Sequence, residues 1–261
     1  MLLQIRTSVC LANITHDLRR GLKSAASMGA EAVEIDARVH LNMKEMSDTA
    51  VRHIKKLLSD FDLSVSSLTF NTRHGYDISE GLDQRISATC DAMLLAYRLG
   101  SKVVSNHIGV IPSNEDSPRW QTLVESLNDL GRFGDTAGSS LCARTTSDDG
   151  RLMRALLETM PEGTAGVDFD PGRLMMNGKS PSETIDSLGP FVRHMRIKDA
   201  MRDIAKGQGL ETAFGEGAVD FDQIFGVLEK EHYNGYFTVD REEVEMPVPE
   251  IKRTIEALKR I

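Results

Sequence analysis

Short apolar runs alternate with longer segments of helical period along the whole chain. The apolar runs predict eight β-strands, at 3–9, 32–37, 64–70, 102–108, 139–144, 164–170, 192–199 and 235–240. The segments between them predict eight helices, at 17–28, 43–61, 82–99, 120–133, 151–160, 181–188, 221–231 and 249–258. Strictly alternating strands and helices are typical of a parallel sheet, and eight such units predict a closed (β/α)8 TIM barrel of the α/β class.

An open doubly wound sheet is the alternative architecture. Its dinucleotide-binding form opens the first helix with G-x-G-x-x-G, which is absent at that position, so the regular repetition favours the barrel. The chain shows no linker or low-complexity segment, and we expect one domain over residues 1–261. The stretch 200–219 contains Gly207, Gly209, Gly215 and Gly217, and it exceeds the usual connection length, which predicts a functional loop.

The overall charge is acidic, with a formal net charge of -8. A nucleic-acid-binding protein usually shows a basic face, and no run rich in Lys or Arg occurs, so we expect no nucleic-acid partner. The three cysteines are widely spaced, which predicts reduced thiols and a cytoplasmic protein. No apolar run approaches the ~20 residues of a membrane span, so we expect no membrane partner.

Polar residues gather where the predicted strands end, which is where the chemistry of such barrels is placed. His107 there could equally be a structural histidine with satisfied hydrogen bonds, and Asp170 could fix the turn that precedes Pro171 and Gly172. The candidates are Glu34, Asp36, Asn71, Arg73, Asn106, His107, Arg144, Asp170, Arg173, Arg196, Lys198, Asp199, Arg202, Asp240, Arg241 and Glu242.

Four motifs in the second half of the chain resemble the xylose isomerase-like barrels, a family that includes sugar-phosphate isomerases and epimerases. They are V-D-F-D-P-G at 167–172, H-M-R-I-K-D-A at 194–200, G-E-G-A-V-D-F at 215–221 and Y-N-G-Y-F-T-V-D at 233–240. The resemblance is clearest over 160–245. It implies a TIM barrel that acts on a small sugar, sugar phosphate or sugar acid, and it makes a homo-oligomer plausible.

The resemblance also implies a divalent metal (Mn, Mg, Co or Zn) held by Glu, Asp, His and Glu on strands five to eight. The metal polarises a carbonyl, and the two Glu residues move protons to and from carbon. The matching positions here are Arg144, Asp170, Arg196 and Asp240. Guanidinium is protonated and has no lone pair to donate, so we expect no tightly held metal, with Asp170 and Asp240 as ligands if one binds.

The first functional hypothesis is an isomerase or epimerase with an altered metal site. Asp170 and Asp240 are then the acid and base, and Glu34 or His107 replaces the missing carboxylate. An arginine at 144 or 196 stabilises the enediolate in place of the metal. The predicted substrate-binding residues are Arg144, Arg173, Arg196, Lys198 and Arg202.

The second hypothesis is an inactive or repurposed barrel that binds an anionic small molecule through converging arginines. A structural alternative stays open, in which Arg144, Arg173, Arg196 and Arg202 pair internally with Asp170, Asp199 and Asp240. A third hypothesis, an abasic-site endonuclease, requires a cluster of metals with many ligands, and the acidic charge disfavours it.

Overall fold

The structure is a computed structural model that describes residues 3–161, 163–164, 166–202, 209–242 and 247–261. The strands are β1 Thr7–Cys10, β2 Ala32–Asp36, β3 Ser64–Thr69, β4 Val103–Asn106, β5 Ser140–Arg144, β6 Gly166–Phe169, β7 Val192–Ile197, β8 Asp199–Met201, β9 Leu210–Thr212 and β10 Phe237–Val239. The helices are α1 Leu18–Ser27, α2 Asp48–Asp60, α3 Leu82–Leu99, α4 Pro118–Ala137, α5 Gly150–Glu158, α6 Pro171–Met176, α7 Pro181–Leu188, α8 Phe221–Lys230 and α9 Val248–Leu258.

Eight of these strands close a parallel barrel in the order β1-β10-β7-β6-β5-β4-β3-β2, which confirms the predicted fold class. The last barrel strand pairs with the first, with Ser8 opposite Thr238. The pairing register shifts between Val33 and Glu34 and again between Val167 and Asp168. These shifts adjust the stagger that a closed barrel requires.

Side-chain caps fix several helix starts that the sequence predicted. Ser180 accepts the amide of Glu183 at the start of α7, and Asp220 accepts that of Gln223 at the start of α8. An N-cap of this kind contributes about 1 kcal/mol. Gly100, at the carboxyl end of α3, adopts the left-handed conformation with φ of 93°, which glycine tolerates without strain.

Two predicted elements differ from the structure, and one helix was not predicted. The predicted helix 43–61 is interrupted, because Ser47 caps α2 and leaves only a 3-10 turn at Met43–Glu45. The predicted strand 192–199 ends at Ile197. A short helix that the sequence did not predict, α6, follows β6, since Asp170 caps it and Pro171 occupies its first turn.

The described part of the long stretch 200–219 contains more order than a plain loop. β8 pairs antiparallel with β9, and the carboxylate of Asp199 accepts backbone N–H groups from Gly215 and Gly217 at 2.9 Å each. A Cβ at Gly217 would overlap that carboxylate. Gly207 lies outside the described residues. The functional role predicted for this stretch stays a prediction.

The apolar core lies between the barrel wall and the surrounding helices, whereas the inside of the barrel is polar. Parallel strands that are buried on both faces are usually apolar on both. Instead, each of the eight barrel strands contributes at least one buried polar side chain to the interior. This inner set includes Ser8, Glu34, Ser67, Thr69, Ser105, Arg144, Asp168, His194, Arg196 and Thr238. No helix among the described residues is long and apolar enough to cross a membrane.

Candidate active site

Asp168, on β6, is the centre of a buried hydrogen-bond network inside the barrel. Its Oδ2 accepts Nε–H of Arg144 at 3.0 Å and Nε–H of Arg196 at 2.9 Å. Its Oδ1 lies 2.8 Å from Nδ1 of His194, and the hydroxyl of Ser105 also donates to the carboxylate. Four strands therefore meet at one carboxylate, and each donor satisfies part of its buried charge.

Arg196, on β7, connects three carboxylates with one guanidinium. Besides its bond to Asp168, its Nη1 donates to Asp240 at 2.8 Å and its Nη2 donates to Glu34 at 2.6 Å. The side chain is 1% exposed. A planar fork with several fixed N–H groups suits this arrangement, which a lysine could not reproduce.

The cations determine how these carboxyl groups titrate. Burial, the largest single influence, would raise the pKa of Glu34 and of Asp168, but Arg196, Arg144 and His194 together outweigh it and lower both pKa values, for Asp168 well below the usual range. The pKa of Asp240 is likewise lowered, because Lys198 and Arg196 together outweigh burial. All three groups are therefore carboxylates at neutral pH.

Lys198 extends the network toward the mouth of the barrel. Its Nζ lies 3.1 Å from Asp240, 3.2 Å from Glu242 and 3.7 Å from Asp170. At Asp170, burial outweighs the attraction of Lys198 and the pKa is raised. Asp240 Oδ1 is buried and has no hydrogen-bond partner among the described residues.

The donor set does not fit a divalent cation while Arg196 is in place. Glu34, Asp168 and His194 each offer a ligand atom, and these atoms lie within 4.8 Å of one another. However, Arg196 contacts both carboxylates, and the second ring nitrogen of His194 lies 2.8 Å from the hydroxyl of Thr238. Lone pairs that a metal would need are thus directed at the guanidinium and its neighbours.

An open cavity of about 390 Å³ lies beside this network, at the carboxyl ends of β3, β4 and β5. Its wall is formed where two βα loops meet, because the amide of Tyr76 donates to the carbonyl of Ile108 at 2.8 Å. The loops touch through glycine, and a Cβ at Gly75 would overlap the backbone of Gly109. The polar lining residues are Arg73, His74, Asp77, His107, Arg119, Arg144, Thr146 and Asp148.

Arg144 belongs to both the network and the cavity. Its Nε bonds to Asp168 and Ser105, and its Nη2 bonds to Thr69 at 3.1 Å and to Ser105 at 2.9 Å. Within the described part of the chain, its Nη1 makes no hydrogen bond. The guanidinium is therefore fixed at one end and can donate to a ligand from the other.

Two titratable side chains of the cavity have pKa values shifted in opposite directions. Partial burial and the charge of Arg144 lower the pKa of His107 to about 4, so its imidazole is neutral at pH 7. Burial raises the pKa of Asp148, although this carboxylate accepts the amide of Thr146 at 2.9 Å. Diverging pKa values of this kind are typical of acid–base sites.

The structure separates the residues that the sequence grouped as one site. His107 and Arg144 line the cavity, whereas the predicted acid–base residues Glu34, Asp170 and Asp240 are each 1% exposed. Among the predicted substrate-binding residues, Arg196 and Lys198 are equally buried. Arg173 pairs with Glu242, and Arg202 is exposed and donates to the carbonyl of Gly178 at 2.8 Å. The structural alternative of internal ion pairs therefore describes Arg196 well. Of the carboxylates that Arg196 contacts, however, only Asp240 was among the predicted partners, and the other two are Asp168 and Glu34.

Three residues of these sites, Asp168, His194 and Asp148, were not predicted from the sequence. The first two were detectable, since each precedes a chosen residue by two positions and so shares its face of the strand. Asp148 lies between the predicted strand 139–144 and the predicted helix 151–160, and the cap of α5 is its neighbour Asp149. Its place beside the cavity depends on the path of the loop after β5.

Comparison with known proteins supports this architecture. The inosose dehydratase of Clostridium beijerinckii is 24% identical, over 74% of this chain and 74% of that protein. A xylose isomerase domain protein from Planctomyces limnophilus superposes with a TM-score of 0.84 at 19% identity, covering 99% of this chain and 96% of that one. D-psicose 3-epimerase of Clostridium cellulolyticum, solved with D-tagatose, gives 0.78 at 12% identity, covering 98% and 99%.

The family model described as xylose isomerase-like TIM barrel matches residues 22–261, which is most of the chain. This match agrees with the closed eight-stranded parallel barrel and with the motifs of the second half. The chain therefore belongs to the family of xylose isomerase-like TIM barrels.

Proposed function

We propose that the protein is a sugar-modifying enzyme that removes a proton from the carbon next to a carbonyl of a small polyhydroxylated substrate. The observation that carries this proposal is that Arg144, whose Nη1 makes no hydrogen bond within the described residues, lines a cavity together with His107 and Asp148. Proton abstraction next to a carbonyl is the step that isomerisation, epimerisation and dehydration of such substrates have in common. The likeness to an inosose dehydratase adds dehydration to the isomerase chemistry that the sequence suggested.

Each of the three side chains has a separate role in the proposed reaction. Arg144 donates to the carbonyl oxygen and stabilises the negative charge that develops there, and its bonds to Asp168 and Ser105 hold it in position. Asp148, as a carboxylate of raised pKa, takes the proton from carbon. His107, as a neutral imidazole, donates a hydrogen bond to oxygen.

The enolate formed in this way has two possible fates. Delivery of a solvent proton to the opposite face of the same carbon, with Asp148 releasing the first proton to water, gives the epimer. Alternatively, Asp148 passes the abstracted proton to the hydroxyl on the next carbon, whose C–O bond breaks as the enolate collapses; water leaves, and Asp148 is again a carboxylate. The catalytic roles expected for Glu34, Asp170 and Asp240 are not part of this proposal, because ion pairs surround them.

Deuterium exchange tests the proposal directly. The protein is incubated in heavy water with an inosose, D-psicose, D-tagatose and their phosphates, and mass spectrometry measures label at carbon and loss of water. We expect label or dehydration with at least one of them, and the Arg144→Gln variant should abolish it. If no member of the panel is labelled or dehydrated, the proposed proton abstraction is wrong.

We also propose that the reaction does not depend on the metal usual in the family, since Arg196 contacts the donors that would hold it. Treatment with EDTA is expected to leave the exchange rate unchanged, and titration with Mn²⁺ should show no tight binding. The double variant Arg144→Glu, Arg196→His restores acceptors at two ligand positions, and we expect it to gain Mn²⁺ affinity. An EDTA-sensitive wild type would contradict this part of the proposal.

Binding of an anion without turnover is the second candidate function. Arg73 lines the same cavity and makes no ion pair within the described residues, so an anion would find two available guanidinium groups there. Thermal-shift measurements with phosphorylated sugars test it. Stabilisation without any label at carbon would favour this candidate over catalysis.

A further inference from the structure

A second cavity, of about 610 Å³, lies at the opposite end of the barrel from the candidate active site. It is surrounded by residues that precede or begin strands, and such a volume suits a small molecule. The amino-terminal face of a barrel is otherwise associated with stability. The lining residues are Gln4, Arg6, Ser64, Val65, Ser66, Gly100, Ser101, Lys102, Val103, Ser140, Arg193, Tyr233, Asn234, Gly235 and Tyr236.

The charge of this lining has the opposite sign to that of the whole protein. Arg6, Lys102 and Arg193 line the cavity, and no Asp or Glu does. None of these three cations forms an ion pair with any residue that the structure describes. In a chain with a formal net charge of -8, three unneutralised cations around one concavity create a local positive potential.

Two of the three cations are fixed by contacts that leave N–H groups available. The guanidinium of Arg6 stacks on the ring of Tyr236 at 4.1 Å, and its Nη2 donates to the carbonyl of Asn234. Arg193 donates from Nη1 to the carbonyl of Pro190 at 3.1 Å. A guanidinium held at one edge is preorganised to grip an anion with the other edge.

Hydroxyl groups of the lining add further donors. The side chains of Ser64 and Ser140 make no hydrogen bond within the described ranges, and both lie on the cavity. A deeper hydroxyl, Ser101, is 2% exposed and is already bonded to the carbonyl of Ser66 at 3.1 Å. These hydroxyl groups can donate to an anion beside the three cations.

A structural explanation for the cations also exists. The helices of a (β/α)8 barrel direct their carboxyl ends to this face, and Lys102 follows the end of α3 closely. A cation there stabilises a helix dipole by about 0.3–1 kcal/mol. This explanation requires neither a cavity nor the absence of carboxylates around it. It also predicts that the protein binds no added anion at this face.

We propose that this cavity binds a small organic phosphate, whose dianionic phosphoryl group is gripped by Arg6, Lys102 and Arg193. Three cations suit a ligand with two negative charges, such as a phosphoryl group, better than a ligand with a single carboxylate. Guanidinium groups also form paired hydrogen bonds with phosphoryl oxygens. The volume leaves room for a short carbon skeleton beside the phosphoryl group. This site is separate from the mouth of the barrel and does not depend on the proposed enzymatic activity.

Isothermal titration calorimetry with glycerol 3-phosphate, inorganic phosphate and glycerol tests the proposal on the full chain. We expect glycerol 3-phosphate to bind and glycerol not to bind, and the affinity to weaken as NaCl is raised. Arg193→Gln and Lys102→Gln should each reduce the affinity about tenfold, the loss of one charge-assisted contact. Both side chains are exposed, so neither variant should impair folding, and circular dichroism checks this.

Two control variants identify which end of the barrel binds glycerol 3-phosphate. Arg253→Gln removes the same charge from the exposed face of α9 and should bind as the wild type does. Arg73→Gln removes a cation from the mouth, so any loss it causes is confined to binding at the mouth and binding at the opposite end should persist. Equal binding of inorganic phosphate would support recognition of the phosphoryl group alone. Absence of binding, or binding lost in Arg73→Gln but retained in Arg193→Gln and Lys102→Gln, would overturn the proposal.

Discussion

Replacement of Arg196 by methionine is expected to lower the free energy of unfolding by about 3–5 kcal/mol, the usual cost of removing one partner from a buried ion pair. Methionine keeps an unbranched apolar stem but leaves Glu34, Asp168 and Asp240 facing one another without the guanidinium that contacts all three. Repulsion between desolvated carboxylates then opposes folding. Urea unfolding at pH 7, followed by circular dichroism, measures the difference.

The matched control is Arg193→Met, which removes the same charge from an exposed position of the same strand. In phosphate-free buffer its unfolding free energy should stay within about 0.5 kcal/mol of the wild type. Adding Glu34→Gln and Asp240→Asn to Arg196→Met should recover part of the loss, because fewer uncompensated charges remain. A loss below about 1 kcal/mol in Arg196→Met would contradict the assigned role of the guanidinium.

The effect of Arg196 should also depend on pH in a defined direction. Carboxyl groups whose pKa is lowered in the folded state stabilise it above their unfolded pKa of about 4, and this stabilisation is lost as pH falls through the folded value. Glu34, Asp168 and Asp240 all have lowered pKa values. The stability gap between the wild type and Arg196→Met should therefore be full at neutral pH and narrow below about pH 4.

The Asp148→Asn variant is expected to reduce proton exchange at carbon by about a hundred- to ten-thousand-fold, the range typical of a lost general base. Asparagine keeps the shape and the carbonyl acceptor for the amide of Thr146, so the loop after β5 should stay in place. The rate of label incorporation from heavy water, measured with the best substrate of the panel, gives the effect.

The neighbouring residue provides the control for this variant. Asp149 caps α5 by accepting the amides of Arg151 and Leu152, and asparagine is an equally good cap. Asp149→Asn should therefore retain both stability and exchange. In the wild type, kcat/KM should rise with pH through the raised pKa of Asp148. Equal rates for Asp148→Asn and Asp149→Asn would show that Asp148 is not the base.

The barrel itself was predictable because each of its strands and helices can be recognised from a short segment of the sequence. Each strand and each helix carries its own period, and caps such as Ser180 and Asp220 mark the helix starts within four residues. The family motifs then placed Asp170, Arg196 and Asp240 at the carboxyl ends of their strands. Arg196 is enclosed and is not available to a ligand. This burial depends on the size of the barrel interior, which cannot be predicted from any single segment of the sequence.

The candidate active site was less predictable, because it depends on loops. His107 and Arg144 were chosen for their strand ends, and both line the cavity. Asp148 reaches the cavity only through the turn that its carboxylate makes with Thr146. The contact between Gly75 and Gly109 joins two loops that are far apart in sequence, and neither glycine gives a local signal for it.

The charges inside the barrel also constrain the order in which the chain can assemble during synthesis. Glu34 emerges from the ribosome long before Arg196, and Asp240 follows later still. A nascent chain that ends after β6 contains Glu34 and Asp168 but not the guanidinium of Arg196 that contacts both, so closing early would bury Glu34 without the cation that it contacts. Closure is thus favoured only when the seventh and eighth barrel strands are available, which opposes premature collapse of partial chains.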